Sequence, residues 1–275
     1  MMDTIMEMLS YPFMVRAFVV GSLVALCSAL LGVSLVLKRY SMIGDGLSHV
    51  GFGALAVAAA LNLAPLTAAI PVVILAAVLL LRIRSSSRIK GDAAIALIST
   101  SSLAVGVMVI SMTTGMNTDV YNYMFGSILA MSDEDLVLSA VMAVLVLMLF
   151  VFSYHKIFAI TFDETFARAT GVKADFYNTL IAVLTAVTIV LGMRMMGALL
   201  ISSLIIFPAL TSMRVCRTFR GVMVSAAVVS VVCLTVGITV SYVWATPAGA
   251  SVVMANIAAL IVYSFIGWLK NRGAV

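Results

Sequence analysis

The chain has 275 residues, 64% of them hydrophobic and only 10% charged, with a mean hydropathy of +1.22. So little polar surface cannot cover a water-soluble globule, which excludes soluble enzymes and leaves a multi-pass membrane protein. The formal net charge of +5 acquires meaning only through where the basic residues sit. They sit beside apolar segments, so no nucleic-acid partner is expected.

The apolar runs are long and unbroken rather than alternating, which speaks against a β-barrel and for an all-α fold. They predict about nine transmembrane helices, with eight as the alternative count, in one membrane domain over residues 1–275. The N-terminal MMDTIMEML is acidic and leads into a full-length apolar run, so a cleaved signal peptide is not expected. Cys27, Cys216 and Cys233 are isolated from one another in sequence and suggest neither disulfide nor thiolate metal site.

In chain order, the first segment covers roughly 14–37 and the second roughly 43–61. The second reads SMIGDGLSHVGFGALAVAAAL and carries Asp45 and His49, four residues apart. That spacing stacks them on one helix face, one turn apart. Charged groups in a span are costly and mark functional sites, and a carboxylate with an imidazole is a usable ligand pair for a divalent transition metal. The competing reading is that Asp45 caps the helix start while His49 bonds a neighbouring carbonyl. Glycines 44, 46, 51 and 53 favour close helix approach around the pair.

The remaining segments cover roughly 66–83, 92–112, 135–155, 175–192, 195–213, 221–243 and 249–269. The division between the sixth and seventh is the weakest, because GMRMMG leaves almost no loop. His155 closes the fifth segment, where a helix C-terminus suits it. Pro208, within SSLIIFPALTS, predicts a kink, either at a gate or as a packing feature. The scattered methionines read as membrane filler.

Basic residues sort the connections. Lys38 and Arg39; Arg82, Arg84, Arg88 and Lys90; Lys156, Arg168 and Lys173; Arg214, Arg217 and Arg220; and Lys270 and Arg272 follow the odd-numbered segments. Only Arg16 and Arg194 fall towards the other side. The bias predicts an N-terminus outside and a C-terminus in the cytoplasm.

Two connections exceed a turn. The outer one, 113–134, has no basic residue, and its stretch Tyr121 to Met131 is too short to span, which suggests an interfacial or re-entrant helix. The inner one, 156–174, reads KIFAITFDETFARATGVKA, with Phe162, Phe166 and Ala169 on one helical face and Gly171 as a helix stop. Such an amphipathic helix serves either as a docking surface or as a helix lying on the lipid surface. No Walker sequence, GxSxG, HExxH or cysteine-pair motif occurs, so the chain is read as neither an ATPase nor an enzyme.

With those residues in view, KRYSMIGDGLSHVGFGALAVA resembles the signature stretch of bacterial ABC permeases for zinc, manganese or iron(II). The resemblance continues in order through IALISTSSLAVGVMVIS, YNYMFGSILAMS, FDETFARATGV, MGALLISSLIIFPALTS and TPAGASVV. It implies a type II ABC importer permease in the bacterial cytoplasmic membrane. Its partners would be a second permease copy, cytoplasmic ATPase subunits that use the ATP, and an extracytoplasmic metal-binding protein. No cofactor would be held permanently; the metal, zinc or manganese and alternatively iron, would be cargo. By that likeness Asp45 and His49 are the in-pore ligands. Phe162, Asp163, Glu164, Phe166, Ala167 and Gly171 then belong to the coupling helix seated on the ATPase. The rivals are a stand-alone secondary metal transporter and an ABC permease for a larger solute such as a metal chelate.

Overall fold

The computed structural model describes residues 7–8, 10–86, 91–113 and 133–272. It is helical throughout these residues, in chain order α1 (Pro12–Leu37), α2 (Ser41–Ala60), α3 (Pro65–Ser86), α4 (Gly91–Met112), α5 (Asp133–Phe162), α6 (Glu164–Ala169), α7 (Ala174–Met213), α8 (Phe219–Trp244) and α9 (Ala248–Arg272). All but α6 are long and apolar enough to cross a membrane, eight such helices among the described residues. The expected Tyr121 to Met131 helix lies outside the described residues.

The eight and the expected nine are reconciled in α7. Gly197, at φ 84° and ψ 161°, stands outside helical geometry and divides α7 into two arms. In a straight helix residues 192 and 201 lie about 13.5 Å apart along the axis. Here a Cβ on Gly192 would lie 3.0 Å from Ile201 Cγ1, so the arms fold back on each other. α1 reads out the same reversal: its Gly21 faces Met195 and Met196, Val24 faces Gly192, and Gly32 faces Ile205. The seventh segment drawn from the sequence is therefore the second arm of α7, not a helix set off by a loop. The break falls at Gly197, because only glycine takes such a backbone without strain. Pro208 sits buried, eleven residues further on, within the second arm.

α7 is the most enclosed of the long helices. α1 packs along it; α2 packs against α3, α4 and α7; α5 finds its main partners in α1 and α7, and α8 packs on α9 and then on α1 and α7. Helix association in a bilayer relies on close contact and internal polar bonds rather than on expelling water. Both devices are visible. Ser230 Oγ donates to the Ala25 carbonyl at 3.0 Å, tying α8 to α1, and Gly106 of α4 lets that helix approach Gly53 of α2.

The two basic residues that fell outside the main basic set are both paired with the first turn of α5. Arg16 bonds Asp133, and Arg194 Nη2 lies 3.1 Å from Asp135 Oδ2 with both side chains mostly buried. A helix N-terminus favours these carboxylates, which in turn neutralise the two arginines.

Candidate functional site: an Asp–His face and a strut at one end of the bundle

Successive residues of α2 turn by about 100°, and its glycines divide the helix into faces. Gly44 and Gly51 press on α7, where an added Cβ would meet Ile205 Cδ1 at 3.2 Å and Met193 Cε at 3.1 Å. Gly46 and Gly53 press on α4, where it would meet Ile95 Cγ2 and the Ser102 carbonyl oxygen, each at 2.6 Å. α3 covers a third side. The fourth side carries Asp45 and His49, and no helix among the described residues is pressed on it by a glycine.

The pair is in register as the spacing predicts. His49 Nε2 lies 3.8 Å from Asp45 Oδ2, and the side chains are 26% and 47% exposed respectively. Neither half of the capping alternative is seen. The α2 cap position is Tyr40, with no side-chain cap bond, and Asp45 stands five residues beyond it. The imidazole faces the carboxylate rather than a carbonyl. Ser48 donates to the Asp45 carbonyl at 2.7 Å, and Ser202 of the second α7 arm reaches Ser48 Oγ at 3.4 Å. One residue beyond His49, a recess of about 410 Å3 opens between α2, α3 and α4, lined by Val50, Val57, Ser101 and Ser102 among others. No group of three or more His, Cys, Asp or Glu gathers anywhere among the described residues. One copy of the chain thus presents two groups that could hold an ion at this face, a carboxylate oxygen and an imidazole nitrogen.

The second element is α6. Asp163 caps its start, accepting the Phe166 N–H at 2.8 Å. Its end is closed twice, by the Gly171 N–H on the Arg168 carbonyl at 3.1 Å and the Val172 N–H on the Ala167 carbonyl at 2.9 Å. Gly171 takes φ 85°, the left-handed conformation that this closure requires. Caps at both ends define a helix of only six residues, far below the length at which one is stable by itself. Ala167 is buried, whereas Phe166 is 65% exposed. Phe162 is not part of α6. It ends α5 and meets Phe219 edge-on at 5.7 Å, beside Phe158.

Sequence reading missed how α6 is tied to the bundle. Lys38, the C-cap of α1, is 8% exposed and its Nζ donates to Glu164 Oε2 at 3.2 Å and to Asn178 Oδ1. Glu164 also accepts from Arg168 at 2.9 Å and Asn178 at 3.2 Å, and Arg168 makes two bonds to Asp175. Partial burial pushes the Glu164 carboxyl up, but Arg168, Asn178 and Lys38 outweigh it and hold the group below its usual 4.5. The Asp175 and Glu164 bonds push Arg168 up. Only Arg39 and Tyr40 separate Lys38 from the start of α2, so the strut ties α6 to the connection that leads into the helix bearing Asp45. In the sequence Lys38 was only one more basic residue at a span end.

A bundle of apolar helices with an acid–imidazole face in a span and a capped amphipathic helix outside it describes a membrane transport subunit. The comparisons agree. The ABC 3 transport family model matches residues 10–267, and the chain belongs to that family. It is therefore a transport subunit rather than an enzyme. The chain is 29% identical over 240 residues to the high-affinity zinc uptake system membrane protein ZnuB of Haemophilus influenzae, covering 87% of this chain and 92% of that protein. It is 27% identical to the manganese import system permease protein ScaB of Streptococcus gordonii, covering 95% of each. Among solved structures, PsaBC from Streptococcus pneumoniae in complex with Fab superposes with a TM-score of 0.85 at 26% identity, covering 95% of this chain and 94% of that one.

Proposed function

We propose that this permease carries a divalent transition-metal ion, zinc or manganese with iron(II) as the alternative, through an ATP-driven importer. The observation that carries the reading is the Asp45–His49 pair, 3.8 Å apart on one face of α2. Oxygen and nitrogen donors suit all three ions. The names of the relatives, zinc uptake and manganese import, point the same way.

Two ligands hold an ion weakly, and a second copy related by a two-fold axis would bring another carboxylate and imidazole. Four ligands with two negative charges then match a divalent cation, yet leave the site open enough to release it. The homodimer, the ATPase subunits that use the ATP and the extracytoplasmic metal-binding protein complete this reading. Phe166 and the capped α6 are the surface offered to the ATPase, and the Lys38 strut transmits its movement to α2. The C-terminus faces the cytoplasm and the N-terminus the outside of the cytoplasmic membrane, with the whole chain acting as one membrane domain.

Initial uptake of Zn²⁺, Mn²⁺ and Fe²⁺ by cells that depend on this permease tests the proposal. Asp45→Asn, with size kept and charge removed, is expected to lower uptake at least tenfold at normal membrane abundance. Normal uptake by that variant would refute the ligand assignment.

A further inference from the structure

Away from the Asp45–His49 face, α5 and α8 diverge over α1 and leave a groove of about 540 Å3. Its floor includes Leu30 of α1, and its walls are apolar, with Phe150 and Val151 on one side and Val224 and Val228 on the other. At the cytoplasmic end the lining changes character to Tyr154, His155 and Arg220. We propose that this groove is a binding site for one anionic phospholipid of the inner leaflet, its phosphate on Arg220 and an acyl chain along α8.

The dimensions and the charges carry this. Arg220 to Val228 is about 12 Å along a helix, close to half of the ~30 Å hydrocarbon thickness, so the groove has the depth of one leaflet. No carboxylate lines it, and among the described residues Arg220 has no acidic partner. A cation above an apolar slot at the cytoplasmic side matches an anionic headgroup joined to a chain. Tyr154 suits the headgroup level, apolar body below and hydroxyl above. The end wall is firm, because Tyr154 and Phe158 of α5 contact Phe219 of α8 at 5.7 and 5.1 Å. A second copy of the chain is the less fitting occupant. The Asp45–His49 face of α2 is the one a two-fold axis would use, and α2 packs with α3, α4 and α7 rather than with the walls of this groove.

The test uses the purified, delipidated permease titrated with phosphatidylglycerol or phosphatidylethanolamine, with bound lipid counted by native mass spectrometry. Phosphatidylglycerol is expected to bind about fivefold more tightly than phosphatidylethanolamine, and Arg220→Gln to abolish that preference. Val228→Trp should fill the slot and weaken both lipids; Val228 is 55% exposed, so the fold tolerates the larger side chain. Equal binding of the two lipids, or a preference that survives Arg220→Gln, overturns the proposal. So does displacement of the lipid by millimolar glycerol phosphate, which would make the site a chainless anion site. Cross-linking of Val228→Cys to its own counterpart in a dimer would put protein in the groove and overturn it too.

Discussion

Lys38 at the C-cap of α1 and Glu164 of α6, 126 residues apart in sequence, meet at 3.2 Å across one end of the bundle. Burying a lysine to 8% exposure is costly without a partner, so the contact fixes where α6 sits relative to α1. Lys38→Met is expected to cost about 1–3 kcal/mol at this contact and to leave α6 capped by Asp163. The consequence is ATP hydrolysis that continues while uptake per ATP falls, by about tenfold. A Lys38→Glu, Glu164→Lys exchange should recover part of the loss. Equal loss of hydrolysis and uptake in Lys38→Met would remove the strut from the transmission path.

The same contact predicts a pH dependence. The folded-state pKa of Glu164 lies below its ordinary value of 4.5, so its stabilisation is present above the unfolded value and lost as pH falls through the depressed one. Uptake per ATP is therefore expected to stay level from about pH 8 down to about pH 5 so far as this strut sets it. Substituting Glu164→Gln should lower the ratio across that range rather than create a new midpoint within it.

Phe166 presents 65% of its surface outside the bundle on a helix whose ends are both capped. An exposed aromatic on a rigid helix is the kind of anchor that dominates an interface. Phe166→Glu should keep the permease folded, since the side chain supports no core contact. ATPase subunits should then fail to co-purify with it. Normal co-purification would leave α6 as a solvated turn.

Most of the fold was legible because membrane helices must be long, apolar and internally bonded. Departures occur where hydropathy carries no signal. α5 was expected to stop near His155, yet it runs to Phe162 because Ile157 and Ile160 are buried on one side while Lys156 stays exposed. Phe162 was accordingly assigned to the wrong helix. The reversal in α7 rests on one backbone conformation at Gly197, which a count of apolar residues cannot see. For the site, the four-residue spacing of Asp45 and His49 was enough to find the pair. The strut was not, because Lys38, Glu164 and Asn178 are distant in sequence and each resembles an ordinary residue at a span end.

Gly197 is the residue on which the folded-back α7 depends. Its φ of 84° with ψ of 161° is a region that side-chain-bearing residues enter at a cost of about 1–3 kcal/mol. Gly197→Ala should lower the melting temperature of the purified permease by several degrees. Gly171→Ala, also at positive φ but with nothing within 4 Å of the added carbon, should be milder.

The placement of the basic residues predicts an orientation that labelling can test. Arg16 and Arg194 have Asp133 and Asp135 as partners, and two basic residues are too few to offset the positive-inside bias of the rest of the chain's 16 lysines and arginines. Leu63, between α2 and α3, is 52% exposed, and Lys173, between α6 and α7, is also exposed. In a cysteine-free background, Leu63→Cys is expected to react with a membrane-impermeant maleimide in intact cells. Lys173→Cys should react only after the membrane is opened. Labelling of both from the same side would overturn the orientation and, with it, the placement of α6 against a cytoplasmic ATPase.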